Sequence, residues 1–80
     1  MSRKRTEAAW MHVASSAVRA VRYSAQGELD VRFEDGEEYR YTEVPRSKFR
    51  NLLKADSVGR FVNQQIKPCH AASKITTFSR

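Results

Sequence analysis

The stretch ELDVRFE, residues 28 to 34, alternates without a break: Leu29, Val31 and Phe33 fall on one side, Glu28, Asp30, Arg32 and Glu34 on the other. A period of two predicts a β-strand with one face on a core. Upstream, AAWMHVASSAVRAVRYS is rich in small and β-branched residues, and Val21 and Tyr23 alternate about Arg22. This predicts a strand over about 17 to 24, with a shorter one near Met11 to Val13 as an option. Gln26 and Gly27 mark the turn that follows.

Asp35-Gly36 signals a hairpin, and parity decides its loop. A two-residue loop would set Phe33 opposite Glu38 and Val31 opposite Arg40, mixing charge into the apolar face. A three-residue loop, Glu34-Asp35-Gly36 with Gly36 left-handed, sets Val31 opposite Tyr39 and Leu29 opposite Tyr41. It also sets Arg32 opposite Glu38 and Asp30 opposite Arg40, each opposite-charge pair contributing roughly 0.2–1 kcal/mol. The register therefore turns Tyr39 and Tyr41 toward the core, with their hydroxyls at its edge, rather than leaving them as a platform for stacking bases.

Pro45 ends the third strand and suits the first position of a helix, where its missing N–H is no loss. In RSKFRNLLKA, Phe49, Leu52 and Leu53 cluster on one side while Arg46, Arg50 and Lys54 follow a flank at four-residue steps. A second helix is expected from Ser57 as N-cap, with Val58, Phe61, Val62 and Ile66 inward and Arg60, Gln64 and Lys67 outward. Pro68 is expected to push Lys67 out of helical geometry and close the element. The pattern as a whole predicts one α+β domain: an antiparallel meander of three strands, or four, then two short helices packed on one face. Residues 1–8 read as a disordered basic tail, 9–70 as the folded domain and 71–80 as a tail in which ITTF offers an edge strand.

At 80 residues the chain has one small core to fill, so nearly every large apolar residue is committed to it. The formal charge is +6, unevenly spread: residues 1–5 carry +3, residues 6–45 carry −4 and residues 46–80 carry +7. Such a layout favours a polyanionic partner met by the second half of the chain. Cys69, the single cysteine, can form no internal disulfide and begins no zinc-ligand pair. No apolar run has the length of a membrane span or a signal peptide, so a cytoplasmic protein is expected, with no membrane, metal or cofactor partner.

Several short motifs in order carry a resemblance: Ser15-Ser16, VRFEDG at 31–36, YRY at 39–41, Val44-Pro45, Leu52-Leu53 and SVGRFVNQQIK at 57–67. Over roughly residues 10 to 70 the chain resembles the KTSC domain, a small module named for the C-terminus of some lysyl-tRNA synthetases. Tyr39, Tyr41 and Pro45 match the centre of its motif, in a structural role. The chain departs from the pattern at Phe61-Val62-Asn63, where Tyr-Phe-Asn is usual, and around Cys69-His70, where a tyrosine is usual. The synthetase setting implies RNA binding.

The candidate nucleic-acid contacts are Arg46, Lys48, Arg50, Lys54, Arg60 and Lys67, with Arg3, Lys4 and Arg5 in the tail, since few acids are available to neutralise them. Ser57 and Gly59 open a helix whose free N–H groups suit phosphate, although an N-cap with close packing at Gly59 explains the same residues. Ser15, Ser16, His12, Cys69 and His70 form no recognisable catalytic set, and the acids group on an exposed hairpin face, so a non-enzymatic domain is expected. RNA or DNA is the expected partner, through phosphates and without sequence specificity. The alternative is a protein-interaction adaptor that docks a partner on an edge strand or an apolar patch.

Overall fold

The computed structural model describes residues 10–13 and 15–75. The basic tail and most of ITTF lie outside them. Five strands form one antiparallel sheet in sequence order: β1 Met11–His12, β2 Val18–Tyr23, β3 Leu29–Phe33, β4 Glu38–Tyr41 and β5 Ala72–Lys74. Two helices, α1 Arg46–Lys54 and α2 Val58–Phe61, fall between β4 and β5, and α2 continues into a π-helical turn, Val62–Ile66. The class is α+β, but three or four strands is corrected to five. The two short segments both pair, one on each edge, and the second lies before ITTF. β5 is wholly exposed and is held by its backbone: Tyr41 pairs with Ala72 and Tyr39 with Lys74, and Ile75 N–H donates to Glu38 O at 2.8 Å.

The β3–β4 register is the one the three-residue loop demands. Leu29 pairs with Tyr41, Asp30 with Arg40, Val31 with Tyr39 and Arg32 with Glu38. Gly36 has φ +92°, a left-handed conformation that costs a residue with a Cβ. Phe33 N–H donates to Glu37 O at 2.8 Å across the turn. In β2 a bulge between Val18 and Ala20 adds Arg19 to the strand, so Val18 and Val21 both face inward although three positions apart.

The inner face of the sheet, Val18, Val21, Leu29, Val31 and Tyr41, meets Leu52, Val58, Val62 and Ile66 from the helical layer. Tyr23 stacks on Phe49 with centroids 4.7 Å apart, and its hydroxyl donates to Val44 O. Val44 N–H donates to Gly27 O at 2.9 Å, so this short connection ties the start of α1 to the β2–β3 turn. Pro45 stands just outside α1 with ψ 150°, not at its first position. Its carbonyl accepts from Lys48 and Phe49 N–H, which opens the helix.

Ser57 caps α2 as expected, its Oγ accepting from Arg60 N–H at 3.2 Å. Pro68 does not push Lys67 out of the helix: Lys67 has φ −58° and ψ −46°, and its N–H donates to Val62 O at 2.8 Å. The wider π turn keeps Lys67 helical up to the proline, and the chain then leaves through Cys69 and His70 N–H groups, both donating to Ile66 O. A Cβ on Gly59 would lie 2.9 Å from the Ala17 Cβ, so close packing against the segment leading into β2 occupies this glycine. In that segment Ser15 Oγ accepts from Ala17 and Val18 N–H, the turn role expected of it.

The outer face corrects the expectation that the hairpin acids stand exposed. Asp30 is only 4% exposed. Arg22 donates to Oδ2 from Nε at 3.0 Å and from Nη2 at 2.8 Å. Arg40 donates from Nε to Oδ1 at 2.8 Å and from Nη2 to Oδ2 at 3.2 Å. Arg22 and Arg32 each hold their guanidinium 4.3 Å from the centroid of Trp10, and Arg32 also pairs with Glu38 at 2.7 Å.

Asp30→Ala leaves two arginines facing a neutral site. Because both remain partly exposed they regain water, and the expected loss of stability is about 2 kcal/mol rather than the 3–5 kcal/mol of a fully buried pair. Urea unfolding against the parent chain measures it. Tyr41 supplies a second expectation. Burial, and then the nearby Tyr39, raise its hydroxyl pKa above the ordinary 10.0. Below pH 10 the group is neutral whether folded or unfolded; above it, the unfolded chain ionises first and is favoured. Stability is therefore expected to fall as pH rises past about 10 toward the folded-state pKa. Thermal melts from pH 8 to 11 should show a shallower fall for Tyr41→Phe.

Candidate nucleic-acid interface

The charges of the sheet are used within it, except for Arg19, which is exposed in the β2 bulge and makes no ion pair among the described residues. Arg22 and Arg40 share Asp30, Arg40 also approaches Glu28 at 3.7 Å, Arg32 pairs with Glu38, and Lys74 pairs with Glu37 at 2.7 Å. The hydrogen bond from Lys74 to Glu37, reinforced by that carboxylate's charge, raises the lysine pKa.

On the helical layer the balance differs. Residues 46–70 hold six cations and one acid, Asp56. Arg46, Arg50 and Lys54 are exposed along one flank of α1, and Arg60 is exposed on α2, which packs against α1. None of these four makes an ion pair within the described residues. The arrangement works against α1 by itself. Its first turn has no acid and begins with Arg46, opposed to the helix dipole, and Arg46–Arg50 and Arg50–Lys54 are like-charge pairs at four-residue spacing. Each such pair costs roughly 0.2–0.5 kcal/mol. Packing of Leu52 and the Phe49–Tyr23 stack offset it.

Lys48 and Lys67 sit differently. Lys48 Nζ donates to Gln65 O at 3.1 Å and lies 3.1 Å from His70 Nε2, while His70 Nδ1 lies 3.2 Å from Thr42 O. The carbonyl accepts from Nδ1–H and the ammonium donates to Nε2, which fixes the tautomer as Nδ1–H. Lys48 thus joins α1 to the exit of the π turn. Lys67 Nζ stands 5.0 Å from the centroid of Phe33.

Lys67 also lines a cleft of 780 Å³ between the β3–β4 turn and β5. Phe33, Tyr39 and Tyr41 form its aromatic side, Glu34, Asp35 and Glu37 its acidic rim, and Ser16, Ala17 and Ala72 its small-residue side. Tyr41 is buried, as its register requires, whereas Tyr39 is half-buried and meets Phe33 edge-on at 5.9 Å. The helices therefore cover one tyrosine of the pair and leave the other beside an open groove. Sequence reasoning missed this cleft and the Trp10–arginine face, because both bring together residues remote along the chain.

Arg3, Lys4 and Arg5 lie outside the described residues. Ser57 and Gly59 are accounted for by capping and packing. Among the described residues no helix is long and apolar enough to cross a membrane.

A KTSC domain model matches residues 14–69. A protein of Tsukamurella paurometabola is 49% identical over 57 residues, covering 70% of this chain and 85% of that one. An uncharacterized protein of Stutzerimonas stutzeri is 44% identical over 57 residues, covering 70% and 80%. The crystal structure of a KTSC domain protein from Yersinia pestis superposes with a TM-score of 0.80 at 29% identity, over 85% of this chain and 97% of that one. With the Tyr-x-Tyr pair on β4 and the Ser57-capped helix in the matched region, the chain belongs to the KTSC domain family.

Proposed function

We propose that this domain binds nucleic acid, RNA foremost, through the phosphate backbone and the helical layer. One observation carries the reading: of the sheet's cations, Arg22, Arg32, Arg40 and Lys74 are paired and only Arg19, in the β2 bulge, is not, while Arg46, Arg50, Lys54 and Arg60 cluster on the helical layer with no ion-pair partner among the described residues. A polyanion laid along α1 neutralises its like-charge pairs and releases condensed counterions, so binding gains from a feature that costs the free domain stability. The contacts are to phosphates, and sequence preference is correspondingly weak. The resemblance to a synthetase appendage favours RNA over DNA as the first ligand to test.

Affinity for a single-stranded RNA and for duplex DNA, measured by fluorescence anisotropy across a salt series, checks this. Four phosphate contacts to the single strand give a log–log slope of about −2.8. Replacing Arg46, Arg50 and Lys54 by glutamine flattens the slope by about 0.7 for each charge removed. Binding that is absent at low ionic strength, or that ignores salt, would falsify the proposal.

A further inference from the structure

We propose that the cleft under the β3–β4 turn is a second binding site, one that takes a lysine or arginine side chain presented by a basic peptide. Its volume of 780 Å³ falls in the range of ligand sites, roughly 300–1,000 Å³. Among the described residues its lining reverses the charge of the molecule: three carboxylates, Glu34, Asp35 and Glu37, stand against one ammonium, Lys67, in a chain of net charge +6. That sign disfavours a phosphate ligand and favours a cation.

The wall is suited to the same charge. Phe33 and Tyr39 are half-buried in an edge-on pair, and aromatic faces attract ammonium and guanidinium groups. The chain itself demonstrates the preference, since Lys67 Nζ stands over Phe33 at 5.0 Å. Lys67 is exposed and makes no ion pair among the described residues, so it is a resident cation that a better-placed one displaces. Glu37 is shared with Lys74, but Glu34 and Asp35 are exposed at the rim with no ion pair among the described residues. An open groove of this size has room for peptide backbone beside the inserted side chain, which is why the occupant is a peptide and not a free amine.

Titration of the isotope-labelled domain with an acetylated, amidated Gly-Lys-Gly-Arg-Gly peptide, followed by amide chemical shifts, tests the site. Shifts are expected at Phe33, Glu34, Gly36, Tyr39 and Ala72, and are expected to vanish when norleucine and citrulline replace the two basic residues. The double variant E34Q/D35N should weaken binding about five-fold, and K67M should tighten it about three-fold by clearing the Phe33 face. Both alter exposed side chains, and amide spectra away from the cleft verify the fold. The proposal is overturned by the absence of shifts at millimolar peptide, by equal binding of the neutral peptide, by no loss in E34Q/D35N, or by weaker binding in K67M. None of these changes touches Arg46, Arg50, Lys54 or Arg60, so the outcome is separable from nucleic-acid binding.

Discussion

Gly36, held at φ +92°, completes a three-residue loop, and that loop sets Leu29 opposite Tyr41 and Asp30 opposite Arg40 in one stroke. Because side chains alternate across a strand, a slip of one residue would send Tyr41 to the outer face and Arg40 into the core. With the register fixed, Tyr41 closes the core beneath the helices and Asp30 is buried on the opposite side under Arg22 and Arg40. The two layers are thus linked through a single backbone turn.

The same register governs electrostatics. Acids on the hairpin meet arginines projecting from β2, β3 and β4, so the outer face becomes a set of satisfied ion pairs with Trp10 laid over two guanidiniums. The helical layer then has little acid left with which to neutralise its own cations. Its charge is open to a partner, and it is offset in the free domain by packing of Leu52 and Phe49 against the sheet. At the hairpin end the arrangement inverts, and an acidic rim surrounds the aromatic cleft.

What the sequence disclosed was whatever depends on local periodicity. The alternation around Val31, the Asp35-Gly36 turn, the Ser57 cap and the apolar positions of both helices are written within a few residues of where they act. Edge strands were harder: β5 has no apolar alternation, because exposed Ala72–Lys74 are held by backbone hydrogen bonds to β4 and by the Lys74–Glu37 ion pair, not by apolar packing. Pro68 misled because its effect depends on Lys67 N–H reaching back to Val62 in a π turn. Asp30's burial depends on Arg22 and Arg40 closing over it from the two flanking strands. Of the site, the exposed α1 stripe was legible, whereas the diversion of Lys48 to His70 and of Lys67 to Phe33 was not, since each joins residues from separate elements.

The most direct measurement is a residue-resolved map of the labelled domain bound to a short RNA at low salt. Amide and side-chain shifts confined to Arg46–Lys54 and to the neighbourhood of Arg60, with Trp10, Arg22 and Arg40 silent, are the predicted result. Perturbation centred on Trp10 and the guanidiniums beneath it would contradict the claim that those charges are already satisfied within the sheet.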